Sequence, residues 1–161
     1  MIKFIESIAI KAPIERVFEV ISDFENYPKF LDEMEATEVV KRGKRSTHAR
    51  FTAKLAMPIR YTLDFRMKAP DRMDWSLVEG DFMEGNDGSW ELTSLEPNLT
   101  DATFTMEVKF PFWVPSSMAE GTLKSGLPGM MKGFKREAER RAGKTRPRKA
   151  TAKRVSRSRR T

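Results

Sequence analysis

Between residues 59 and 68 the chain alternates without a break. Ile59, Tyr61, Leu63, Phe65 and Met67 are apolar or aromatic, and Arg60, Thr62, Asp64, Arg66 and Lys68 between them are polar or charged. Successive side chains of a strand point to opposite faces, so this period of two over ten residues demands a sheet with one dry face and one wet face. Neighbouring runs repeat the pattern. Residues 47–55 place Ala49, Phe51, Ala53 and Leu55 on one side, and residues 72–79 place Met73, Trp75 and Leu77 there. Trp90 and Leu92 come from 89–95, and Phe104, Met106, Val108 and Phe110 from 102–110. Residues 3–10 and 35–42 also read as strands. Hairpin-length links join most of these runs, so an antiparallel meander is the simplest topology.

Helical spacing occurs in two places. After Pro13, which suits a first helical turn, Ile14, Val17, Phe18 and Ile21 share a face, and Glu15 opposes the helix dipole favourably. Pro28 can open a second, short helix through Phe30 and Leu31. Beyond Pro115, Leu123, Leu127, Met130, Met131 and Phe134 form a stripe. Gly121, Gly126, Gly129 and Gly133 weaken that helix, and Pro128 predicts a kink. A one-faced sheet needs a cover, and this is the only long amphipathic element available. The expected class is α+β.

Three stretches carry a resemblance. The first runs Ile8-Ala9-Ile10-Lys11-Ala12-Pro13, Val17-Phe18-Glu19-Val20-Ile21 and Asp23-Phe24-Glu25-Asn26-Tyr27-Pro28-Lys29-Phe30-Leu31. The second is Trp75-Ser76-Leu77-Val78-Glu79-Gly80-Asp81-Phe82, continued by Gly88-Ser89-Trp90-Glu91-Leu92, and the third is Met131-Lys132-Gly133-Phe134-Lys135-Arg136. Over residues 2–141 the chain resembles the START-like, or helix-grip (SRPBCC), superfamily, nearest the branch of Coq10, RatA-type proteins and polyketide cyclases. It departs from the Coq10 and RatA pattern at Asp32-Glu33-Met34, where those proteins carry Pro, an aromatic residue and Cys. The resemblance implies a curved antiparallel sheet of six to seven strands wrapped around a long C-terminal helix, with two short helices after strand 1. It also implies an apolar cavity for a lipid, isoprenoid or quinone-like molecule.

The residues expected to line such a cavity are Phe51, Tyr61, Leu63, Phe65, Met67, Trp75, Leu77, Phe82, Trp90, Phe104, Met106, Leu123, Leu127 and Met131. Methionine suits a pocket that adapts to its occupant. The inward strand set (which adds Ala49, Leu55, Ile59, Met73, Leu92 and Val108) holds no Asp, Glu, His, Lys or Arg. General acid–base catalysis needs a titratable group within reach of substrate, and here only the phenol of Tyr61 offers one. Binding or transport without chemistry is therefore the first expectation. A cyclase or aromatase is an alternative that would need Arg60, Asp64 or Arg66 turned inward. No catalytic residue, cofactor or metal site is assigned. The chain has no cysteine, and its single histidine, His48, falls on the wet face. Residues 80–88 read as a Gly-rich loop, either an ordinary hairpin link or a gate tipped by Phe82 and Met83. Gly-rich residues 126–134 lack the strand and the Gly-Lys-Ser/Thr of a phosphate loop.

The formal charge of +7 is unevenly spread. Residues 142–161 carry nine of the 30 basic residues and no acidic one; the first 141 keep 21 basic against 23 acidic residues. The expected division is a helix-grip domain over 1–141 and a disordered basic tail over 142–161. Lys144, Arg146, Arg148, Lys149, Lys153, Arg154, Arg157, Arg159 and Arg160 could bind polyanions: RNA or a ribosome, as in a RatA-like protein, or an anionic membrane. With no aromatic side chain the tail would not read bases. No run is long and apolar enough to span a bilayer, and residues 1–11 lack the features of a signal peptide, so a cytoplasmic location is expected. Oligomeric state is not legible.

Overall fold

The computed structural model describes residues 1–54 and 58–145. The strands are β1 (Ile2–Ile10), β2 (Met34–Arg42), β3 (Thr47–Lys54), β4 (Pro58–Lys68), β5 (Arg72–Gly80), β6 (Gly85–Glu96) and β7 (Leu99–Lys109). Helices α1 (Ile14–Ile21) and α2 (Tyr27–Phe30) follow β1, separated by a 3-10 turn, and α3 (Ser116–Thr145) closes the described chain. All seven strands form one sheet in the order β1-β7-β6-β5-β4-β3-β2, every neighbouring pair antiparallel. The meander thus runs from β2 to β7, and β1 closes on β7. The segment of α1 and α2 crosses from one edge of the sheet to the other. This is the helix-grip architecture.

Alternation in the sequence becomes the two faces of the sheet. Ala49, Phe51, Leu63, Phe65, Met73, Trp75, Trp90, Leu92, Phe104, Met106 and Val108 are buried on the concave side. The other face carries polar pairs: Arg72 bonds Asp74 at 2.8 Å and Glu91 at 2.7 Å, Arg50 bonds Glu38 at 3.0 Å, and His48 faces Asp64 at 3.5 Å. Such exposed pairs contribute little to stability. Arg60 and Arg66 are exposed on this face too, with the guanidinium of Arg66 donating to Ser76 at 3.3 Å. A register shift between Thr62 and Leu63 pairs Leu63 with Leu77 and Thr62 with Glu79, which leaves Val78 as a bulge. The bulge lies on β5, so the parity of β4 is kept and the charges of β4 stay outside.

Helix α3 continues through Pro128, and two of its glycines, Gly129 and Gly133, are contact points. A Cβ at Gly133 would lie 2.7 Å from Leu31 Cδ2 and 2.9 Å from the Phe30 carbonyl, so bare backbone is what lets the end of α2 approach. The C-terminal half of α3 is pinned to the start of the chain. Arg141 donates to Asp23 at 2.7 Å and to Glu137 at 2.8 Å, and Arg140 donates to Glu137 at 2.6 Å. Lys135 donates to the Ala9 carbonyl and the Lys11 backbone N–H donates to Glu139, each at 2.9 Å. Ala142 is buried, so the packed body continues beyond residue 141. Lys144 is exposed on the last turn of α3, whereas Arg146, Arg148, Lys149, Lys153, Arg154, Arg157, Arg159 and Arg160 lie outside the described residues.

The expected loop over 80–88 is shorter than its glycines suggest. β6 begins at Gly85, so only 81–84 connect the strands. The reason is β7, whose inner edge pairs with β6 as far as Gly85 and supports the Gly-rich segment as strand.

Candidate ligand cavity

Large side chains cover the concave face of the sheet. Seven rings form a closed circuit: Phe134–Trp90 at 5.3 Å between centroids, Trp90–Phe104 at 5.0 Å, Phe104–Trp75 at 5.4 Å, Trp75–Phe65 at 5.8 Å, Phe65–Phe51 at 5.8 Å, Phe51–Tyr27 at 5.7 Å and Tyr27–Phe134 at 5.2 Å. Tyr61 stacks on Phe51 at 5.5 Å. Most of these contacts are edge-on or tilted, the arrangements aromatic quadrupoles favour. Above this floor the two halves of α3 differ. From Leu127 onward, Leu127, Met131, Phe134 and Ala138 are buried. In the first half the downward positions are smaller, Thr122 and Gly126 beside Leu123, and space remains.

That space is a cavity of about 160 Å³, open to solvent on one side. All seven rings of the circuit line it, together with Ala53, Ile59, Tyr61, Leu63, Met106, Val108 and Phe110 from the sheet side. Thr122, Leu123, Gly126, Leu127 and Met130 close it from α3. Ile59, Met83, Phe110 and Leu123 keep partial exposure and mark the opening.

β5 and β6 pair only from Arg72–Glu91 to Trp75–Gly88, and beyond Trp75 the two strands fork. Asn86 sits in the fork, opposite Val108 and on the inner face. Its side-chain oxygen accepts from the Trp75 indole N–H at 3.1 Å, tying the two prongs together. The Asn86 amide nitrogen reaches only the Met83 sulfur, at 4.0 Å.

Four further polar groups line the cavity. Tyr27 donates to the Ile21 carbonyl, and among the described residues Tyr61 forms no hydrogen bond; burial raises the first phenol well above its usual range and pushes the second up to about 12. Thr122 stands at the helix wall. The fourth is Glu33, from the turn between α2 and β2. Its Oε1 is buried and accepts no hydrogen bond among the described residues. Among the described residues no Lys, Arg or His lines the cavity.

The family model for polyketide cyclase / dehydrase and lipid transport proteins matches residues 10–135. The chain belongs to that family. No curated protein matches the sequence. Among solved structures, the Zhui aromatase/cyclase from Streptomyces sp. R1128 is similar with a TM-score of 0.80 at 17% identity, over 87% of this chain and 94% of that one. A START superfamily protein from Mycobacterium smegmatis aligns at a TM-score of 0.75 and 17% identity, over 89% and 99%. A STAR-related lipid transfer protein from Xanthomonas axonopodis aligns at 0.68 and 18%, over 84% and 85%. At these identities the likeness is one of fold.

Within this cyclase and lipid-transport fold, ten of the fourteen residues expected at the cavity come together on its wall: Phe51, Tyr61, Leu63, Phe65, Trp75, Trp90, Phe104, Met106, Leu123 and Leu127. The other four sit elsewhere. Met67 is one inward step beyond Phe65 and exposed, near the end of β4. Leu77 packs against the core beside the Val78 bulge. Met131 is wholly buried beneath α3. Phe82 turns outward in the 81–84 loop at a φ of 58°, against Trp113 at 5.8 Å, while its neighbour Met83 turns in. Leu55 lies outside the described residues.

Glu33 falls outside the inward strand set, in a turn where strand parity says nothing. Asn86 was hidden for a related reason, since residues 80–88 read as a loop. Had β6 been extended to Gly85, its pairing with β7 would have placed Asn86 inward beside Val108. The one sequence signal for Glu33 is that residues 32–34 depart from the Coq10 and RatA pattern.

Proposed function

We propose that this protein holds an apolar small molecule, of lipid, isoprenoid or quinone-like character, in the cavity between the sheet and the first half of α3. The observation that carries this reading is the lining itself. Aromatic and aliphatic side chains make nearly all of it, and its few polar groups are scattered over different elements. Membership of a family that includes lipid transport supports the same reading. Native mass spectrometry of protein purified without detergent tests it. A stoichiometric hydrophobic species, lost on organic extraction and restored on re-addition, is the expected result. Trp75 and Trp90 line the cavity, so their emission should change on rebinding. Binding with no response from either indole would count against this location.

A second reading, cyclisation or dehydration of such a molecule, is favoured by Glu33, a titratable group on the cavity wall. The same experiment separates the two. A ligand returned to emptied protein and recovered unchanged in mass and chromatographic retention supports carriage; an isomer of altered retention, or a product lighter by one water, supports turnover. For the basic run from Lys144 onward we propose a sequence-blind tether to polyanions, supported by nine basic and no acidic residues over 142–161.

A further inference from the structure

We propose that Glu33 receives the polar end of the ligand. On this assignment the cavity selects an apolar molecule ending in a hydrogen-bond donor, a hydroxyl or an ammonium group, and rejects one ending in a carboxylate. This rests on the cavity-binding reading above and specifies its ligand class.

The position of Glu33 is built. Its carbonyl accepts from the Lys54 backbone N–H at 2.7 Å, and the next residue, Met34, donates its N–H to the Leu31 carbonyl at 3.1 Å, so the backbone is held on both sides. Its side chain lies against bare helix. A Cβ at Gly129 would come within 2.4 Å of Glu33 Oε2, so any larger residue there would displace the carboxyl group. Held in this way, Glu33 Oε1 is out of water and has no donor among the described residues. A buried acceptor without a partner is costly, and a ligand that supplies the donor relieves that cost.

Three features set the sign of the selection. Glu33 is the only charged side chain among the described lining residues, and no cation there could neutralise an acidic ligand. A carboxylate brought beside it in an apolar space is repelled and left unpaired. The donors left over on the wall, the Tyr61 hydroxyl and the Asn86 amide nitrogen, suit a neutral carbonyl or ether oxygen further along the ligand. A site built around an unpaired polar group discriminates strongly against analogues that lack its complement.

Displacement of Nile red, a neutral apolar dye, by decylamine, decan-1-ol and decanoate tests the proposal. In the unaltered protein the amine and the alcohol should displace the dye at roughly tenfold lower concentration than decanoate. Glu33→Gln should bring amine and decanoate closer together by roughly fivefold or more, read as the ratio of their displacing concentrations within each protein. Gly129→Ala, which pushes the carboxyl group aside and suits a helix, should narrow the gap in the same direction and serves if Glu33→Gln folds poorly. Dye binding with decanoate competing as well as decylamine overturns the proposal, as does a ratio that neither variant changes. Absence of any dye binding by the unaltered protein would overturn the cavity reading itself, and this assignment with it.

Discussion

At Gly88 the indole of Trp75 occupies the place a side chain would take. A Cβ there would lie 2.3 Å from Trp75 Cζ2 and 2.5 Å from the Thr105 carbonyl oxygen, one a packed ring and the other backbone. Neither can yield cheaply, so Gly88→Ala should destabilise the fold by about 3 kcal/mol, in the range of overpacked cores. Urea denaturation measures it, and a midpoint unchanged from the parent would show that Trp75 can swing away. The two tyrosines provide a second check at this scale. Burial lifts Tyr27 well above its usual range and Tyr61 to about 12, so the native protein should show no phenolate absorbance near pH 10, where an unfolded chain ionises. A folded-state pKa raised in this way leaves stability intact below pH 10 and erodes it as pH climbs from 10 towards 12. Ultraviolet titration beside a guanidine-unfolded control would show both. What the sequence makes legible at this scale is parity. Alternation assigns Phe51, Tyr61, Leu63, Phe65 and Trp75 to the inner face because a strand has only two sides. It says nothing of Glu33, whose direction is fixed by a turn and by a glycine nearly a hundred residues away.

The element that decides the cavity is α3, and its glycines are unequal. Gly121 meets nothing within 4 Å, so Gly121→Ala should stabilise by about 0.5–1 kcal/mol through helix propensity alone. Gly133 meets Leu31 and the Phe30 carbonyl, and Gly133→Ala should destabilise by about 2 kcal/mol despite the same gain in propensity. The pair, compared by thermal melting, separates a glycine that weakens the helix from one that seats it; equal and favourable shifts would contradict the seating. From sequence the glycines at 121, 126, 129 and 133 all look like helix breakers, because the partner that makes Gly133 necessary is α2, distant in the chain. The C-terminal half of α3 also makes the fold sensitive to acid. Hydrogen bonds from Arg140 first, and from Arg141, hold Glu137 at about 2 against an ordinary 4.5 despite its burial. A depressed carboxylate stabilises the fold above pH 4.5, and that contribution is lost as pH falls through about 2. The difference corresponds to roughly 3 kcal/mol before solvent around the half-exposed Arg140 trims it. Glu137→Gln should therefore flatten the fall in stability between pH 4.5 and 2, and an unchanged acid profile would place the sensitivity in other carboxylates.

At the scale of the whole molecule the chain is two electrostatic objects. Alternation and helical spacing make the packed body legible because burial imposes a period on sequence, whereas the basic run over 146–161 shows no such period in its sequence. Ala142 is buried and α3 includes Thr145, so the change in charge at residue 142 falls within the packed helix. Removing residues 146–161 takes away eight basic residues, Lys144 remaining on the helix, and leaves 22 basic against 23 acidic. The remaining body would be close to neutral and should lose most of its affinity for polyphosphates. Each phosphate neutralised releases counterions, so the full chain should bind single-stranded RNA with an affinity that falls steeply with salt, by roughly 0.7 logarithmic units per tenfold salt for each contact. The truncated chain should show a slope near zero and the same indifference to anionic vesicles, while its Nile red affinity stays within about twofold, since the cavity is lined by residues up to Phe134. Filter binding and vesicle sedimentation across a salt series, with dye titration in parallel, make the comparison. An unaltered salt slope after truncation would move polyanion binding onto the body, where exposed Arg45, Arg60 and Lys68 would be the next residues to replace.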